Sequence, residues 1–199
     1  MAQQAPRRIT SQIIPTGADM RRETGVRWYE LEVDPEQVAA RAVAFASGGR
    51  ELGRIDIDLS QPGRITGVIA SDERSLSIEL RPAPGDGDRL GVTGLIGEQQ
   101  FTVVGRAGEP DVTSPVSLSL SAEARDVLRP WTGLNSALGD LTAVARDEGA
   151  FSECDGCLLL GAVVVQSAEG CVGGDAGACS ALLDSWDAFR DICDPPPCH

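Results

Sequence analysis

Apolar and polar residues alternate in short runs over the first two thirds of the chain, and the period lengthens near residue 121. Val26–Val33 reads as a first strand, with Trp28, Glu30 and Glu32 on one side and Tyr29, Leu31 and Val33 on the other. Leu52–Leu59, Ile65–Ala70, Leu76–Leu80, Leu90–Ile96, Gln100–Val104 and Val116–Leu120 alternate in the same way. Turn residues punctuate them at Ser60-Gln61-Pro62-Gly63, at Ser71–Arg74, across Pro82–Asp88 and at Gly97-Glu98-Gln99. Between the first two strands, Asp34-Pro35-Glu36 has the form of a helix cap with proline at the first helical position. It predicts a helix through Gln37–Ser47, stopped by Gly48-Gly49.

Half-polar strands at even spacing imply an antiparallel sheet with one wetted face. The expected fold class is α+β: a β-rich domain over 25–148, built as a small sandwich or a curled sheet, followed by helices. Residues 1–24 are polar and are expected to form a flexible arm. After Ser121 the helical period predicts Ala122–Arg129, ended by Pro130, and a second helix over Leu134–Arg146. Gly149-Ala150 is a plausible joint to a third region, 151–199.

That last region holds all six cysteines and the single histidine, His199. Cys157 and Cys171 are fourteen residues apart, as are Cys179 and Cys193. Fourteen steps of about 100° return a helix to within about 40° of its starting face. Cys157, Leu160, Val164, Ser167 and Cys171 form one seam, and Cys179, Leu182, Trp186, Phe189 and Cys193 form a matching one. Folded about the loop 172–178, the two seams face each other as a helical hairpin with nested disulfides 157–193 and 171–179. Cys154 and Cys198, outside both helices, would add a third bridge. Two alternatives stand beside this pairing. Cys154, Cys157, Cys193 and Cys198 or His199 would supply a zinc set, leaving Cys171 and Cys179 unexplained. The thiols would otherwise be buried and free.

Composition narrows the function. With eight aromatic residues in 199, packing falls to small and β-branched side chains. The net charge of −13 argues against nucleic acid as a partner. The charge is concentrated at the end: 16 Arg against 22 acids over 1–150 give −6, while one Arg against eight acids over 151–199 give −7. Every basic residue is arginine, the signature of a GC-rich prokaryotic genome. The longest apolar run, Cys157–Val165, has nine residues, so no transmembrane segment is expected. No apolar stretch of signal-peptide length follows either arginine pair near the N-terminus.

An enzyme is not expected. The one histidine is the last residue of the sequence, which leaves the β-rich region without the parts of a Ser-His-Asp or Cys-His site, and the Gly-rich stretches lack the Lys-Ser/Thr of a phosphate loop. Asp56 and Asp58 share a strand face and read as a solvated surface. Cys154-Asp155-Gly156-Cys157 carries no positive charge to activate a thiol.

The cysteine order is similar to that of saposin-like modules at about half their length. Cys154-Asp155-Gly156-Cys157, Leu158–Val165 and Gly170-Cys171 with the later cysteines resemble halocin-like antimicrobial peptides. That resemblance implies a bacteriocin-like peptide processed from a larger precursor, with residues 25–148 as carrier or immunity region. The hairpin would act by binding a protein or membrane target, with Trp186, Phe189, Leu158, Leu159 and Val163 as the apolar surface and no cofactor. Disulfides would then imply secretion after processing. The alternative is a cytoplasmic interaction protein stabilised by zinc, or with its cysteines reduced.

Overall fold

The computed structural model describes residues 7–13, 24–71, 74–84, 89–106, 121–131, 153–174 and 176–193. Eight strands form one sheet in chain order: β1 (Arg7–Ile13), β2 (Trp28–Asp34), β3 (Ala39–Phe45), β4 (Glu51–Asp58), β5 (Ile65–Ser71), β6 (Arg74–Pro82), β7 (Leu90–Ile96) and β8 (Gln99–Gly105). Every neighbouring pair is antiparallel, which makes the sheet an up-and-down meander and not a sandwich. Burial alternates as the sequence pattern demands. Tyr29, Leu31 and Val33 of β2, Ile55 and Ile57 of β4, and Ile78 and Leu80 of β6 point into one core.

Two segments depart from expectation. The helix expected over Gln37–Ser47 is β3. Asp34 does not open a helix: its Oδ1 accepts from the backbone N–H of Glu36 (3.0 Å) and Gln37 (3.1 Å), closing a tight turn. Val38 then adopts φ +52°, which no helix permits, and the chain reverses into β3. The inward face of β3 is Ala40, Ala42 and Ala44, all buried, so residues with high helix propensity serve as the small side of a sheet. The second departure is in the arm expected over 1–24, where Arg7–Ile13 pairs with β2.

The strand expected at Val116–Leu120 and the helix expected at Leu134–Arg146 lie outside the described residues. Helix α1 (Ala122–Leu128) begins where predicted, with Ser121 Oγ accepting from the Ala124 N–H at 3.1 Å. A 3-10 turn, Arg129–Trp131, follows and buries Pro130 and Trp131. Helices α2 (Glu153–Val172) and α3 (Ala176–Cys193) pair as a hairpin.

Helix α2 packs on β2 and β3, while α3 packs on β7 and β8. Four strand spacings separate β3 from β7, about 19 Å in a flat sheet. Adjacent helices sit only about 8–10 Å apart. The sheet therefore curls around the hairpin, and one continuous core cluster includes residues of both. Gly161 shows how close the approach is: a Cβ there would lie 2.8 Å from Leu59 Cδ2.

Candidate functional site

The two nested bridges of the cysteine hairpin form as their spacing predicts, but Cys154, expected outside both helices, lies in the first turn of α2, which begins at Glu153. Disulfides join Cys157 to Cys193 and Cys171 to Cys179, with Cα–Cα distances of 5.3 Å and 4.4 Å. Cys154 is also disulfide-bonded, and its expected partner Cys198 lies outside the described residues. Three members of the alternative zinc set, Cys154, Cys157 and Cys193, are thus already committed to sulfur–sulfur bonds. His199 lies outside the described residues. Among those described, no group of three or more His, Cys, Asp or Glu side chains is placed to hold a metal.

Between the helices, Gly173 N–H donates to Glu169 O (2.9 Å) and Gly174 N–H to Cys171 O (3.0 Å). Gly174 takes φ +95°, the left-handed conformation that ends a helix and favours glycine. At Gly170 a Cβ would meet that of Ala178 at 2.7 Å, so glycine there allows the two helices to converge beside the Cys171–Cys179 bridge.

The apolar surface expected from Trp186, Phe189, Leu158, Leu159 and Val163 is turned inward. Trp186 and Leu158 are 0% exposed, Phe189 1% and Leu159 3%. Val163 is half-buried against the same core. The physical reason is that α2 has two apolar sides. Its cysteine seam faces α3, and Leu158, Ala162 and Val165, at 100° per residue, occupy roughly the opposite side. Fifteen of its 20 residues are buried. By length and composition α2 would also serve as a membrane span, although here it is mostly buried inside the protein. The nine-residue apolar run underestimated it because Gln166, Ser167, Glu169 and Gly170 interrupt the apolar sequence without ending the helix.

Two of those interruptions belong to a polar cluster that the sequence reading missed. Tyr29 Oη donates to Pro130 O (2.7 Å), and its ring stacks on Trp131 with centroids 5.9 Å apart. Gln166 Nε2 donates to Trp131 O (2.6 Å). These bonds tie β2, the 3-10 turn and α2 together. Gln166 Oε1, Trp131 Nε1 and both carboxyl oxygens of Glu169 have no hydrogen-bond partner among the described residues. Burial raises the Glu169 carboxyl well above the usual carboxylate range. Burial also raises the Tyr29 phenol, and the nearby Glu169 charge acts in the same direction. The available signal was a glutamine and a glutamate three residues apart inside a helix with little other polarity.

The outer face of the sheet is wet and charged, as expected for Asp56 and Asp58. Asp56 pairs with Arg41 and with Arg54 (3.2 Å), and Asp58 Oδ1 accepts from the Ser60 N–H (2.8 Å). Comparison with protein-family models, with curated proteins and with solved structures returned no match.

Proposed function

We propose that the chain is a sheltered binding peptide. The disulfide-stapled hairpin is its active part, and the curled sheet is a carrier that covers it until processing frees it. The reading rests on one observation: α2 is apolar on the side facing the sheet as well as on its seam with α3. A hairpin that needed only its partner helix would carry one apolar side. The second side occupies the sheet here, and after release it would be the surface offered to a target. Trp186, Phe189, Leu158, Leu159 and Val163 would then contribute as the hairpin repacks. The resemblance of Cys154–Cys157 and the later cysteines to halocin-like peptides supports a bacteriocin-like role for a secreted, processed form.

The net charge of −7 over residues 151–199 favours a neutral lipid surface or an apolar protein groove over an anionic membrane. The test is to place a specific protease site between residues 147 and 152 of the full chain and cut it with the disulfides intact. The hairpin fragment is expected to separate from the sheet fragment and to float with phosphatidylcholine vesicles or arrest sensitive cells, while the uncut chain does neither. A cut chain whose fragments stay together and bind nothing would overturn the proposal.

A further inference from the structure

Glu169 sits in the interface between the hairpin and the sheet, 4% exposed, and neither of its carboxyl oxygens has a partner among the described residues. It lies two residues from Cys171, about 160° around the helix, so it points away from the α3 seam and towards the sheet. The groups around it offer no compensating charge. From β2 the facing titratable group is Tyr29, whose hydroxyl is committed to Pro130 O. β3 presents Ala40, Ala42 and Ala44, and the 3-10 turn presents Pro130 and Trp131. On its own helix the neighbour is Gln166, since Asp155 lies fourteen residues back, about 21 Å along the axis. α3 is on the far side of α2, and of its charged groups Asp184, Arg190 and Asp191 are exposed and Asp187 is half-buried. No charged group among the described residues relieves Glu169, and burial alone accounts for its preference for the neutral form.

We propose that Glu169 is a proton-operated latch between the hairpin and the sheet: protonated, it stays in the core, and ionised, it drives α2 off β2 and β3. The idea rests on the hairpin being the displaceable element and adds what triggers its displacement. A solvent-exposed glutamate titrates near 4.3. Below that pH both the docked and the undocked states hold the proton, and docking carries no proton cost. Above it, undocking releases a proton, so rising pH favours the undocked state by up to about tenfold per unit until the docked carboxyl itself ionises. The docked form is therefore an acid-side state, and neutral to alkaline surroundings loosen it.

The test uses the full oxidised chain and no target. The opening constant of the α2 amides is measured by hydrogen exchange from pH 5 to 8, corrected for the intrinsic pH dependence of exchange. In the wild type it is expected to rise by up to about tenfold per pH unit, and in Glu169→Gln or Glu169→Leu it should be independent of pH. A flat wild-type profile would overturn the latch whether or not either variant folds. A variant that keeps the wild-type slope would overturn it too. A released hairpin that binds nothing would sink the carrier reading and leave this slope unaffected.

Discussion

The Tyr29 hydroxyl donates to the Pro130 carbonyl at 2.7 Å, joining residues 101 apart in the sequence at the point where β2, the 3-10 turn and α2 meet. Removing that hydroxyl leaves a buried carbonyl without its donor while the ring stays stacked on Trp131. Tyr29→Phe is expected to lower stability by about 1–3 kcal/mol, read from urea unfolding. An unchanged midpoint would show that the carbonyl finds another donor.

The two described disulfides close chains of different length, 36 and 8 residues. By loop entropy the longer closure stabilises by about 4 kcal/mol and the shorter by about 2.5 kcal/mol. Replacing Cys157 and Cys193 together by serine should therefore cost more than replacing Cys171 and Cys179 together. Thermal unfolding of the two double variants decides it, and equal losses would mean that the entropy of the unfolded chain is not what sets the effect.

Trp186 and Val163 differ in how deeply the hairpin buries them. Trp186 is fully buried against Phe189, their rings 5.6 Å apart, whereas Val163 is only partly covered. Trp186→Ala is expected to cost about 3–5 kcal/mol, and Val163→Ala about 1 kcal/mol or less. Chemical denaturation of both variants checks the ratio.

How much of this was legible in advance depends on the element. β7 was read to the residue because Leu90–Ile96 alternates between turn residues and lies in a strand paired on both sides. The hairpin pairing was legible because a fourteen-residue spacing has a direct angular meaning on a helix. β3 was not, because alanines at 40, 42 and 44 carry no β signal, and it is the nearness of α2 that makes small residues fit there. That Leu158 and Leu159 pack against the sheet was legible only as one of two options, for a related reason. A seam drawn from cysteine positions identifies one partner of α2, and its second partner is a sheet formed by residues far away in sequence. Glu169 read as one more acid in an acidic tail, and only the fold turns it into a core residue.

The alanines of β3 yield a prediction of their own. Enlarging one side chain beneath α2 forces the helix outward or strains the core, so Ala42→Leu is expected to destabilise by about 1–3 kcal/mol. The same change should raise the susceptibility of the α2 segment to limited proteolysis more than that of β5 and β6. Uniform loosening of the whole chain would argue that the hairpin and sheet open only together.

The strict chain order of the meander also bears on biosynthesis. The eight described strands end by Gly105, and the hairpin begins at Glu153. A chain growing from its N-terminus completes the strand sequences first and exposes their apolar face before either long helix exists. The hairpin emerges last, beside a surface already tethered to it. The segment with the greatest tendency to leave water thus meets its cover at the high local concentration of a single chain, before it can find a membrane or a second molecule.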